Sequence, residues 1–141
     1  MRIVQLLLAS LFMPGIAVAG PAAGAIEGRE GWIREAPPGA SVRAGYVELH
    51  NGGDTAVTVS GARSPAFGAI EIHEMVGDGD VMRMRRMPGL ELSAGEAVRL
   101  QPGGKHLMLF RPRAPLSPGE KVTVTLDLAD GSSVDIELVQ R

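Results

Sequence analysis

The chain has 141 residues, with 14 basic and 16 acidic side chains for a net charge of −2, and no cysteine. Its length suits one domain, and its charge balance offers no basic surface for nucleic acid. Without thiols, disulfides and thiolate metal sites are excluded. The first segment, "MRIVQLLLASLFMPGIAVAG", has one basic residue, Arg2, an apolar run from Ile3 to Met13, and the small-x-small pattern Ala17-Val18-Ala19. These features predict a secretory signal peptide over residues 1–19, with the mature chain starting near Gly20. The run is short of the roughly 20 residues that span a bilayer, and no cysteine follows it for lipidation. The mature chain, 20–141, is read as one exported domain with no membrane span.

Nineteen glycines and ten prolines punctuate the remainder, and short runs of period-2 alternation lie between them. In chain order the predicted strands are "GWIRE" (31–35), "AGYVELHN" (44–51), "TAVTVSG" (55–61), "GAIEIHEM" (68–75) and "DVMRMRRM" (80–87). They continue with "EAVRL" (96–100), "KHLMLF" (105–110), "EKVTVTLDL" (120–128) and "SSVDIELV" (132–139). Turn-forming pieces such as "NGGD", "GDGD", "SPGE" and "ADG" separate them. No segment of ten residues carries a helical period. Eight or nine short strands at this spacing predict an antiparallel β-sandwich.

Alternation also assigns faces. Val122, Val124, Leu126 and Leu128 share one side of their strand, and Val134, Ile136 and Leu138 do the same in the last; both sets belong to the core. Ile70 and Ile72 put His73 on the opposite side with Glu71. Leu107 and Leu109 put His106, Met108 and Phe110 opposite them. Met82 and Met84 share a face against Arg83 and Arg85. Beyond the first segment, all five methionines (Met75, Met82, Met84, Met87 and Met108) fall within residues 75–108, with His73 and His106 at or inside that window. Gap-filling methionine would be scattered.

Side chains at i and i+2 on a strand point the same way about 7 Å apart, so His106 and Met108 can form a two-toothed ligand. Thioether sulfur is soft and uncharged, which favours Cu(I) over Mg²⁺ or Ca²⁺. Zinc draws instead on Cys, His and carboxylate. A nearby carboxylate, Glu71 or Glu74, would offset the ion's charge.

The series His73, Met84, His106, Met108 reads H-x10-M-x21-H-x-M. With its flanks "IEIHEM", "GDVMRMRRM", "LQPGGKHLMLF" and "GEKVTVTLDLADGSSVDIELV", the chain resembles the periplasmic copper chaperones called PCuAC, from about Trp32 to Val139. The resemblance implies a cupredoxin-like β-sandwich or barrel, and one Cu(I) held by His73, Met84, His106 and Met108. It implies a periplasmic carrier that delivers copper to the CuA centre of cytochrome c oxidase, alongside a Sco-type thiol protein. The Met/His-rich C-terminal tail of some members does not follow the last strand here. Met82 and Met75 stand as substitute donors, Met87 as a packing residue and Arg83, Arg85 and Arg86 as a solvated face. His50 reads as an ordinary strand-end residue and Trp32 as a core aromatic. Three other readings stay open: a copper-tolerance or storage protein, a copper oxidase, and a β-sandwich binding module without metal. Neither a serine nor a cysteine nucleophile with a partnered histidine is evident, so the chain is read as a non-enzyme.

Overall fold

The computed structural model describes residues 22–141. The predicted signal peptide, residues 1–19, lies outside the described residues. A 3-10 turn, Ala22–Ala25, leads into ten strands: β1 (Ile26–Ile33), β2 (Val42–Asn51), β3 (Val57–Arg63), β4 (Phe67–Asp78) and β5 (Val81–Met87) come first. β6 (Leu90–Leu92), β7 (Ala97–Leu100), β8 (His106–Pro112), β9 (Lys121–Leu128) and β10 (Ser133–Gln140) follow. Among the described residues there is no helix long and apolar enough to cross a membrane.

Seven strands run β4-β8-β2-β1-β10-β9-β3, and a pairing of Ala62 with Ile70 returns β3 to β4. Of the two arrangements the resemblance implies, the structure is the closed one, a barrel with β5, β6 and β7 added outside the ring. The alternation suits closure. Each ring strand buries one row, with Ile33, Val47, Leu49, Val59, Ile72, Leu107, Leu109, Val124 and Leu138 inside, and a closed sheet removes the unpaired edges a sandwich would keep. β1 and β10 pair in parallel, and the other pairings in the sheet are antiparallel.

Two features depart from the sequence reading. β6 was not expected, because three residues are too few to show a period. It is held by Asn51, a fully buried side chain whose Nδ2 donates to the carbonyls of Thr55, Leu92 and Ser93 at 2.9, 3.1 and 3.2 Å. Trp32 is not a core residue. Ile33 takes the interior position, and parity turns Trp32 outward, where its ring lies 4.6 Å from Tyr46 and beneath the Arg141 guanidinium at 5.0 Å. Gly79, at φ 63°, makes the turn that folds β5 back on β4, a backbone region that glycine enters freely.

Candidate metal centre

β4 and β8 run antiparallel with His73 directly opposite His106 and Glu71 opposite Met108. Ile72 and Leu107, one residue away, face the core, so both histidines and Met108 stand on the outer wall of the barrel. β5 pairs with the other edge of β4, placing Met84 opposite Met75 and Arg86 opposite His73. Directly opposed and diagonal residues on one face lie within about 4.5–8 Å. The four residues singled out from sequence therefore share one face of three adjacent strands, and Met75 shares it with them. Met82 lies one step further along β5, opposite Gly77. Met82 and Met84 are 56% and 50% exposed, whereas His106 is 5% exposed. The face grades from a sheltered histidine pair to exposed sulfur on an edge strand.

Met75, Met84, His106 and Met108 line one pocket of about 380 Å³, walled by Tyr46, Ala44 and Arg34. Larger cavities elsewhere, about 600 and 660 Å³, contain neither histidine nor methionine. The His73 ring stands beside this pocket, 6.0 Å from the His106 ring and 6.4 Å from Phe110. Tyr46 lies 6.5 Å from His106 on its other side.

Each imidazole has one nitrogen engaged and one left over. His106 Nδ1 donates to the Gly104 carbonyl at 3.1 Å; a carbonyl only accepts, so the proton sits on Nδ1 and Nε2 carries the lone pair. His73 Nε2 donates to Glu71 Oε2 at 2.8 Å, leaving its lone pair on Nδ1. His106 Nε2 and His73 Nδ1 are both buried without a hydrogen-bond partner. Buried polar atoms are rarely left so. Two lone pairs aimed at no protein donor, beside thioethers, fit a soft cation. Among the described residues no three His, Asp or Glu side chains gather as a metal site, so any metal here needs methionine sulfur.

Sequence reasoning left Glu71 and Glu74 as equal candidates for the balancing carboxylate. Glu71 is the one that touches His73; Glu74 points to the other face and bonds Arg85. Arg86 Nε lies 3.8 Å from Glu71 Oε1. Tyr46 and the Gly104 carbonyl were missed, the first because a buried aromatic carries no ligand signal, the second because a backbone atom has no residue identity. Met87 packs against the core, as expected.

A protein-family description, "Putative lipoprotein LpqE-like", matches residues 26–140. The chain belongs to the LpqE-like family. "Putative lipoprotein Lxx21020" from Leifsonia xyli is 33% identical over 115 residues, 81% of this chain and 68% of that one. "Uncharacterized protein RP573" from Rickettsia prowazekii is 28% identical over 88 residues, 62% of this chain and 49% of its own length. Among solved structures, the copper-bound PCuAC domain from PmoF2 superposes with a TM-score of 0.71 at 21% identity, covering 88% of this chain and 98% of that domain. The Cu(I) form of DR1885 from Deinococcus radiodurans gives 0.65 at 27% identity, over 79% of this chain and 75% of that one. The LpqE-like chain thus has the PCuAC fold, as its sequence resemblance implied. A lipoprotein-type family places it among exported proteins.

Proposed function

We propose that this LpqE-like chain is a copper carrier that binds one Cu(I) through His73, Met84, His106 and Met108. The observation that carries the reading is the pair of buried, partnerless nitrogens, His73 Nδ1 and His106 Nε2, on facing strands beside a methionine-lined pocket. The copper-bound PCuAC domain from PmoF2 and the Cu(I) form of DR1885 support it.

The donor set explains the oxidation state. Two neutral imidazoles and two neutral thioethers leave the ion's charge uncompensated, and Arg34 and Arg86 add positive charge around one carboxylate, Glu71. Such surroundings favour a monovalent soft ion over a divalent one. Glu71 and the Gly104 carbonyl orient the rings and fix their tautomers, as outer partners of metal-bound histidines do. Met84 sits on the exposed edge strand, so a recipient's ligands reach the ion from that side and replace the donors one at a time. The exchange is ligand substitution without electron transfer, and no step calls for a catalyst. The chain works as a carrier and not as an oxidase.

The same resemblance extends the proposal to a signal peptide at residues 1–19, a mature copper-binding domain at 20–141 and a periplasmic location. It names as recipient the CuA-bearing subunit of cytochrome c oxidase, with a Sco-type thiol protein as co-worker. Copper tolerance or storage is the second reading, and the same ligands would serve it.

Anaerobic titration tests the core of the proposal. One equivalent of Cu(I) should bind, and binding should be lost in His73→Ala and in Met108→Ala. X-ray absorption should find two sulfurs and two imidazole nitrogens. A chain that binds no Cu(I) is a metal-free binding module; oxygen-dependent turnover of a reductant would make it an oxidase.

A further inference from the structure

The barrel carries a second polar feature, at the end away from the loop that holds Gly103 and Gly104. There the starts of β2 and β9 meet the ends of β1, β8 and β10. Gly45, Val47 and Leu49 face the interior, and Arg43 continues that parity to the rim. Arg43 is 8% exposed, and its Nε is buried without a hydrogen-bond partner. Among the described residues it makes no ion pair. A buried guanidinium nitrogen with no hydrogen-bond partner is costly.

Arg43 opens onto a cavity of about 660 Å³ that is also lined by Arg111, Arg113, Gln140 and Glu35. Three arginines and one glutamate therefore line it. Arg111 is held in an unusual pose: its φ is 52°, its N–H donates to the Ser41 carbonyl at 2.7 Å, and its side chain crosses Gly68. A Cβ at Gly68 would stand 2.6 Å from Arg111 Nε. Left-handed backbone at a non-glycine residue costs about 1–3 kcal/mol and tends to occur where it serves a site. Gln140, 3% exposed, has an Oε1 without a partner.

We propose that this mouth binds a small oxoanion, gripped by Arg43 from within and by Arg111 and Arg113 at the rim. Guanidinium forks match carboxylate and phosphate oxygens. Gln140 Oε1 needs a donor, which a hydrogenphosphate supplies directly, or a water entering with a carboxylate. Arg43 borders both this cavity and the methionine-lined pocket, whereas Arg111 and Gln140 line this cavity and not the methionine-lined one. The inference does not depend on copper.

Thermal unfolding in sodium phosphate and in sodium acetate, each against sodium chloride at equal ionic strength, tests it. A phosphate response marks a tetrahedral oxoanion and an acetate response a carboxylate. Above the dissociation constant, each tenfold rise in free anion concentration should add about 5 °C to Tm. The gain should vanish in Arg43→Gln and weaken in Arg111→Gln. No gain over chloride with either salt, or an undiminished gain in Arg43→Gln, overturns the proposal. If Arg43→Gln does not fold, the Arg43 Nε–H resonance of the unsubstituted chain decides. A saturable shift with either salt supports the site, and an unmoved resonance sinks it.

Discussion

Replacing Glu71 by alanine removes the acceptor that holds His73 Nε2–H at 2.8 Å. Hydrogen bonds to a charged partner contribute about 1.5–3 kcal/mol, but this one is not fully sheltered. The Glu71 side chain is 31% exposed, and Arg86 Nε competes for it at 3.8 Å. The low end applies, near 1.5 kcal/mol, so Cu(I) affinity should fall about tenfold, within the 10–100-fold usual for such outer partners. Glu71→Gln keeps a carbonyl acceptor and should stay within about threefold of the parent by the same reasoning. Glu74→Ala, on the opposite face and bonded to Arg85, should leave affinity unchanged. Competition against a chromogenic Cu(I) chelator under anaerobic conditions measures all three. Unchanged affinity in Glu71→Ala, or an equal loss in Glu74→Ala, would refute the reasoning.

Met84→Leu should weaken Cu(I) binding about tenfold and no more, because Met75 directly opposite can take over; Met75→Leu added to it should cost more than the two single changes combined, read in the same competition. Met82→Leu, one step further out, should leave affinity unaltered. Asn51→Leu strands the carbonyls of Leu92 and Ser93 and should destabilise the fold by about 2–4 kcal/mol, seen as a drop of roughly 10 °C in Tm by circular dichroism. Gly31→Ala should destabilise by about 1–3 kcal/mol in chemical denaturation, since its Cβ would lie 2.3 Å from the Glu137 carbonyl oxygen and push β1 off β10.

The alternation of apolar residues carried most of the barrel. Ile70/Ile72 and Leu107/Leu109 assigned the inner rows of β4 and β8, and the histidine–methionine face followed by subtraction. What alternation lacks is register between strands. Nothing in "GAIEIHEM" and "KHLMLF" says that His73 stands opposite His106 instead of two residues away, since pairing depends on the whole ring. The same gap left Met75 no more than a substitute donor level with Met82, because only the register puts it directly opposite Met84. Glu71 and Glu74 differ only in parity, and parity became decisive once His73 Nε2 had a face. β6 and Trp32 were misread for a simpler reason: three residues show no period, and an aromatic next to Ile33 reads as core until the strand's inner row is known.

The two histidines share their strands with Ile72, Leu107 and Leu109, which are buried in the barrel with no ion present. In small zinc domains the metal's binding energy is the folding energy, so chelators unfold them. On the proposed reading the barrel itself places both histidines, so little of the ion's affinity would go into building the site. On that reading, stripping or loading the ion should leave this chain's backbone in place, so cargo would pass on without this protein having to refold.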